Sequence, residues 1–344
     1  MITIDEESAK AIAALMGNYI TSICTDRNNT IIAASCRNDV FRVWDFETGR
    51  VKRTFKGHTA LVKQVLISPC EKFYFSSSKD GTIKKWDLKY EMLLDTMEGH
   101  TDWVRTIAID KAAKYIVSGS DDRTVRIWDL KTCKVVKTLD TGGNAVAKVF
   151  IDENENKIIA VTFAKTILFW DKHSYNKVNE LRCKLQPDAP SYIDYRNNRI
   201  AVVGAEHIEI MDVLTKHVDL VENMKDIYSI KFNNDAKTLI CGGNKFIKYW
   251  DIEKGKCCRE IKCEGGLIDV LHCSSDERYL LTSGGIADNT IRIWDYKSGH
   301  LLNTIKNEDD ELGNQHLHNS VNYRLLSVEF KDSQRTTKPW WKFW

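Results

Sequence analysis

An all-β fold made of one repeated sheet is predicted by three observations. A Trp-Asp pair recurs at positions 44, 86, 128, 170, 250 and 294, and Met211-Asp212 fills the one gap in the series. Successive spacings are 42, 42, 42, 41, 39 and 44 residues. Each interval holds short runs of branched and aromatic residues separated by turn residues. A period of about 40–45 residues with four short strands per unit is what a propeller blade requires. Seven such units predict seven blades. The phrase that sets the pattern is IVSGSDDRTVRIWDLK at Ile116–Lys131, repeated as FYFSSSKDGTIKKWDLK at Phe73–Lys89.

Residues 1–15 precede the first full unit, and Lys10–Leu15 is a candidate for a short helix or for an outermost strand that closes the ring. Unit one predicts strands at Tyr19–Ile23, Ile31–Ser35, Val40–Trp44 and Val51–Phe55, with turns such as Asp26–Asn29 between them. Unit two opens on Gly57-His58 and predicts Leu61–Ile67, Phe73–Ser77, Thr82–Trp86 and Met92–Met97. Unit three opens on Gly99-His100 and repeats the pattern through Trp128 and Val135–Leu139. The alternation in these strands suits sheets packed face to face with their neighbours.

Later units drift. Unit four has Gly142-Gly143 where Gly-His stands in units two and three, and Ala164 six residues before its Trp. Unit five has Ala205 there, no His and no Trp, and Pro187 and Pro190 delay its innermost strand. Unit six keeps Trp250 with Asn244 for the Asp. Unit seven keeps Asp288 and Trp294 around two extra residues, and Leu301–Ile305 is its own candidate outer strand. Units four and five are expected to be the least stable part of the ring. After Lys306 the repeat stops: an acidic stretch (Glu308–Glu311) leads to a candidate strand at Tyr323–Phe330. The chain is thus read as an N-terminal segment (1–15), a propeller (16–306) and a C-terminal extension (307–344). That extension ends in an aromatic tail, Trp340, Trp341, Phe343 and Trp344, a candidate docking peptide.

The Gly-His openings, the Asp six residues before Trp and the closing Trp-Asp make the chain resemble the WD40-repeat β-propellers over about residues 16–306. The resemblance implies a seven-bladed all-β propeller with a C-terminal extension. It also implies a buried tetrad inside a blade, carried here by His58, Ser76, Asp80 and Trp86 in unit two and by His100, Ser118, Asp122 and Trp128 in unit three. His, Ser and Asp together invite a catalytic reading, but an indole N–H and an imidazole buried in a sheet need partners, and these residues satisfy one another. No GxSxG turn accompanies them. The chain is expected not to be an enzyme.

Bulk composition narrows the function classes. Lys+Arg number 50 against 48 Asp+Glu, a net charge of +2, which argues against a dedicated nucleic-acid binder. Among ten cysteines, Cys257-Cys258, Cys263 and Cys273 beside His272 form the one cluster. Their spacing is poor for zinc, so no metal or other cofactor is expected. With no basic-then-apolar leader and no apolar run near the ~18 residues that span a bilayer, a cytoplasmic or nuclear protein is expected.

In the WD40 family, partners dock on the face where the inner strands begin. Matched residue by residue, that face carries Tyr19 and Thr21, Leu61 and Lys63, Trp103 and Arg105, Asp226 and Tyr228, Leu267 and Asp269, with Lys79 and Asp121 from the turns. Trp and Arg dominate interface hot spots, which puts Trp103 and Arg105 first. Lys63, Lys79 and Arg105 lie on adjacent units and read as a basic crescent for an acidic or phosphorylated peptide. The expected function is a non-catalytic protein–protein interaction scaffold, monomeric on its own and a subunit or adaptor of a larger assembly. Two alternatives stand beside it. One is a substrate receptor of a cullin-type ubiquitin ligase, for which Trp-Asp-x-Arg is wanted and Lys131 stands at the last position. The other is an RNA-associated scaffold in a ribosomal or RNA-processing complex, binding nucleic acid through the same cations.

Overall fold

The computed structural model describes residues 20–36, 39–184, 192–204, 206–221, 224–284 and 289–307. Lys10–Leu15, Tyr19, Ala205, Asp288, Tyr323–Phe330 and the aromatic tail lie outside the described residues.

Every described element is a strand or a turn, apart from a single residue of 3₁₀ geometry at Tyr192. Blade 1 is β1 (Ile20–Thr25), β2 (Ile31–Cys36), β3 (Val40–Asp45) and β4 (Val51–Lys56). Blade 2 is β5 (Val62–Ile67), β6 (Phe73–Ser78), β7 (Ile83–Asp87) and β8 (Leu93–Met97). Blade 3 is β9 (Val104–Ile109), β10 (Tyr115–Ser120), β11 (Thr124–Asp129) and β12 (Lys134–Asp140). Blade 4 is β13 (Val146–Asp152), β14 (Lys157–Thr162), β15 (Thr166–Asp171) and β16 (Lys177–Arg182). Blade 5 is β17 (Ile193–Arg196), β18 (Arg199–Val203), β19 (Ile208–Asp212) and β20 (Val218–Val221). These five sheets are antiparallel meanders in sequence order.

Blades 6 and 7 share long strands. They comprise β21 (Ile227–Phe232), β22 (Thr238–Asp251), β23 (Lys256–Cys273), β24 (Tyr279–Gly284), β25 (Thr290–Asp295) and β26 (Leu301–Lys306). The first half of β22 pairs with β21 and its second half with β23. The second half of β23 then pairs with β24. Lys245 has φ +63°, as have Arg123 (+69°), Lys165 (+67°) and Gly81 (+80°) at the same turn in other blades, so β22 carries the middle hairpin of blade 6.

Burial follows from stacking. The second strand of a blade, such as β10, is buried on both faces apart from its first residue. A strand sandwiched between two neighbouring sheets has no solvent side, so its sequence is apolar and small throughout. The outer strand β12 is exposed at all but one of its seven residues. Gly119 shows how close the blades come: a Cβ there would lie 2.4 Å from Val146 of the next blade.

Seven apolar clusters lie between successive blades, and each holds or borders one residue of the Trp series. Trp86 sits between blades 1 and 2, Trp128 between 2 and 3, and Trp170 between 3 and 4. Met211 takes the place between 4 and 5, and Trp250 borders the cluster between 5 and 6. Trp294 lies between 6 and 7. Trp44 joins Ile20, Ile23 and Ile32 of blade 1 to Leu281, Ile291 and Ile305 of blade 7. The last sheet thus packs on the first, as in a seven-bladed β-propeller. The outer strand of blade 7 is β26, paired with β25. Arg42 of blade 1 donates to Asn307 just beyond it, 2.5 Å away.

Candidate partner-binding face

A recurring irregularity creates the candidate face. The inner strand of each of six blades opens with a β-bulge against its neighbour. The residues left out of register are Thr21, Lys63, Arg105, Ala147, Tyr228 and Asp269. A bulge adds one residue to one strand only, so its side chain escapes the ladder and is re-aimed. In four of these blades the preceding loop is tied down in the same way. Lys79 N–H donates to Leu61 O (2.9 Å), Asp121 N–H to Trp103 O (3.0 Å), Phe163 N–H to Ala145 O (3.1 Å) and Asn244 N–H to Asp226 O (3.2 Å). Blades 2, 3, 4 and 6 thus each present a residue before the strand, a bulged residue and a turn residue side by side.

Across blades 2, 3 and 4 these positions form one strip. Lys79 Nζ lies 3.5 Å from the centroid of the Trp103 ring, and the Arg105 guanidinium carbon lies 5.2 Å from it. Arg105 forms a two-bond ion pair with Asp121, through Nε to Oδ1 and through Nη2 to Oδ2, the latter at 2.7 Å. On its other side Arg105 lies 5.0 Å from the ring of Phe163 in blade 4. The three cations of the crescent are therefore not equivalent: Asp121 neutralises Arg105, and Lys79 rests on an indole. Trp103 remains half-buried, held by cation–π contacts of about 0.5–2 kcal/mol each.

The other half of the face is acidic. Tyr228 follows Asp226 in blade 6. Burial pushes its phenol up, and the carboxylates of Asp226 and Asp269 add to the effect. Leu267 stands in register with Asn244 across the blade 6–7 junction. Leu61, Lys63, Leu267 and Asp269 are all half-buried.

Phe163 was missed in the sequence. The positional rule gave Lys79 and Asp121 as the residues before the tetrad Asp, and the same 42-residue step leads to 163. With Ala164 standing in place of the Asp, the position before it was not carried over.

Below this face lie the polar tetrads. In blade 3, Trp128 Nε1–H donates to Ser118 Oγ (2.8 Å), which lies 2.7 Å from His100 Nε2, and His100 Nδ1 lies 2.7 Å from Asp122 Oδ2. Blade 2 matches it: Trp86 to Ser76 (2.8 Å), Ser76 to His58 (2.8 Å), His58 to Asp80 (2.7 Å). An ionised carboxylate only accepts, so each imidazole carries its proton on Nδ1 and takes the Ser proton at Nε2. Thr82 and Thr124 each add a 2.7 Å bond to the Asp. Burial alone would raise the Asp122 carboxyl, but bonds from His100 and Thr124 hold it well below the usual range. Asp80 behaves alike, through His58 and Thr82. Ser76 and Ser118 are fully buried, which leaves no room for a substrate at either hydroxyl. Blade 7 keeps a remnant, Trp294 Nε1–H to Thr282 Oγ1 at 2.9 Å. In blade 1, with Ala34 at the Ser position, the Trp44 indole N–H is buried without a partner.

Among the described residues no group of three or more His, Cys, Asp or Glu side chains stands close enough to hold a metal. All ten cysteines are free thiols, six of them buried.

A family model for the WD domain, G-beta repeat (WD40) matches residues 10–45, 49–87, 91–129, 213–251 and 255–295, more than half of the chain. The chain belongs to the WD40 family. The unmatched interval from 130 to 212 covers blades 4 and 5, where the tetrad residues are lost. Among curated WD40-type relatives, the chain is 26% identical over 132 residues to "Protein tipD" of Dictyostelium discoideum, covering 35% of this chain and 21% of that protein. It is 36% identical over 75 residues to "Autophagy-related protein 16" of Arabidopsis thaliana, covering 22% and 14%. It is 36% identical over 55 residues to "Nuclear distribution protein PAC1" of Arthroderma benhamiae, covering 16% and 12%. The matches thus span about a fifth or less of each relative's length. No helix among the described residues is long and apolar enough to cross a membrane.

Proposed function

We propose that this WD40 protein is a non-catalytic interaction scaffold that seats a partner protein on the bulged face, with Trp103 as the anchor. The observation that carries this reading is the strip Lys79–Trp103–Arg105–Phe163, assembled from three blades around one half-buried indole. A rigidly held aromatic costs little entropy on binding, and Trp and Arg are the residues whose truncation most weakens interfaces. Asp226 and Asp269, beside the neutral phenol of Tyr228, add two carboxylates on the other side of the face, so a partner with the opposite polarity is oriented as well as held. Because Asp121 pairs Arg105, one of the three cations of the crescent is already neutralised and less positive charge is left for a nucleic acid. The protein reading is favoured over RNA for that reason, and the adaptor role in a larger assembly follows from it.

The test is affinity purification from native cells with mass spectrometry. It compares the intact chain with Trp103→Ala/Arg105→Glu and with a version ending at Lys306. Partners lost with the double substitution, in a protein whose circular dichroism is unchanged, support the face. Partners lost only with the truncation move the dock to the aromatic tail and overturn this reading.

A further inference from the structure

The geometry points to a second binding site: a groove between blades 3 and 4 that takes an extended acidic peptide segment of a partner protein, anchored by one apolar side chain. The argument begins with an internal comparison. In blades 2 and 3 the wedge beside the tetrad Trp is filled by His58 or His100, with Lys84 or Arg126 alongside. Arg126 crowds that space so closely that a Cβ on Gly99 would meet its Nη1 at 2.8 Å. Forty-two residues on, blade 4 has Gly142 for the His, Ala160 for the Ser, Ala164 for the Asp and Leu168 for the Arg, while Trp170 is kept.

The surrounding sheets do not collapse into the vacated space. A cavity of about 510 Å³ remains, with Thr141, Asn144, Thr166, Leu168 and Trp170 in its wall. A second cavity of about 530 Å³ opens beside it, lined by Arg123, Phe163 and Lys165. Both touch Asn144, so they adjoin across the loop Gly142–Asn144. Gly142 and Gly143 in that loop have φ of +69° and +79°, and a Cβ on Gly143 would meet nothing within 4 Å. The first is a groove half open to solvent, and the second is shallower still.

The lining specifies the occupant. Leu139, Leu168 and Trp170, nearly buried, and the half-buried Tyr175 supply the apolar part of an otherwise polar lining, and one hydrophobic side chain is placed against it. Trp86, Trp128 and Trp294 each donate their indole N–H to a hydroxyl, whereas Trp170 makes no hydrogen bond among the described residues. An occupant with carbonyl acceptors supplies what Ser118 supplies in blade 3. The rim is basic: Arg123, Lys165, Lys177 and Arg182 face two acids, Asp140 and Glu180. Glu180 is taken by Lys177 at 2.9 Å, and Asp140 accepts the Gly142 amide at 3.0 Å. Arg123 and Arg182, both exposed, meet no carboxylate at ion-pair distance among the described residues. Carbonyl acceptors, one apolar anchor and flanking carboxylates together describe an acidic peptide. The site is separate from the Trp103 anchor, sharing with its strip the ring of Phe163.

The test selects a phage-displayed random peptide library on the full chain at physiological salt. Enriched peptides are then synthesised with a fluorescein label and titrated by anisotropy. Three variants are compared with the wild type, each checked for folding by circular dichroism. Arg123→Glu/Lys165→Glu/Arg182→Glu reverses the rim. A graft puts the Gly99–Asp102 sequence at 141–144 together with Ala160→Ser, Ala164→Asp and Leu168→Arg, filling the groove. Trp103→Ala removes the other anchor. Acidic peptides with one conserved aromatic or leucine are expected, binding at least tenfold more weakly to the first two variants and equally well to the third. If the graft does not fold, the charge-reversal variant alone decides. Selection without acidic enrichment, affinity unmoved by rim reversal, or displacement by an equimolar single-stranded RNA overturns the proposal. Peptides lost only on Trp103→Ala belong to the bulged face; they overturn the groove and leave the scaffold reading intact.

Discussion

Substituting Ser118→Ala tests whether the tetrad is a stabilising network. Ser118 Oγ is the hinge of the chain, accepting from Trp128 Nε1 at 2.8 Å and facing His100 Nε2 at 2.7 Å, with all three side chains buried. Alanine at 118 removes one hydroxyl and strands two buried polar atoms, an indole N–H and an imidazole nitrogen. Each stranded group costs about 1–3 kcal/mol, and part of that is recovered where water reaches it, so the expected loss is about 2–4 kcal/mol. The opposite experiment exists within the same chain. Trp44 Nε1 is already stranded in blade 1, and Ala34 pairs with Arg42 as Ser118 pairs with Arg126. Ala34→Ser should therefore supply the missing acceptor and stabilise by about 0.5–1.5 kcal/mol. Both effects are read as shifts of the urea midpoint at unchanged slope, with far-UV circular dichroism as the signal. A Ser118→Ala protein within about 0.5 kcal/mol of wild type, or a destabilised Ala34→Ser protein, refutes the reasoning.

Other expectations follow from the same structure. Acid should weaken the fold in two ranges. Burial pushes the His100 and His272 imidazoles below their ordinary value of 6.5, His272 to about 3, so the unfolded chain takes up their protons first and stability falls as pH drops below about 6.5. Asp80 and Asp122 are held below their ordinary 3.8, so their contribution is complete above that value and is lost as pH falls further through it. A melting temperature flat from pH 7 to pH 5 contradicts the histidine part. Gly119→Ala would place a methyl 2.4 Å from Val146 and 2.9 Å from Val149, and overpacking of this kind costs about 1–3 kcal/mol in chemical denaturation. Asn307→Ala removes a partner of the buried Arg42 where blade 7 meets blade 1. The expected loss is about 1.5–3 kcal/mol, with faster amide exchange in β1–β4 and β24–β26 than in β9–β12.

How much was legible in advance divides along physical lines. The blade count and the position of each strand placed in units one and two, to within two residues, follow from local rules; the pairing of His, Ser, Asp and Trp inside blades 2 and 3 follows from the resemblance to the family. Alternation sets which face of a strand is buried, turn residues end it, and a 42-residue step superimposes one blade on the next. The family model matches no residues between 130 and 212, where blades 4 and 5 depart furthest from the Gly-His and Asp positions of blades 2 and 3.

What only the tertiary structure decided are the relations between blades. Lys79 rests on Trp103 and Arg105 touches Phe163 because stacked sheets bring turn residues about forty positions apart into contact, and no local pattern encodes that. Asp121 neutralises Arg105 because a bulge at the start of β9 aims the guanidinium at its own blade's turn. The groove in front of Trp170 likewise exists because the neighbouring sheets hold their spacing although Gly142, Ala160, Ala164 and Leu168 are smaller than their counterparts in blade 3. The sequence by itself determines which residues are missing from blade 4; the rigidity of the stacked ring determines that their absence is a space and not a collapse.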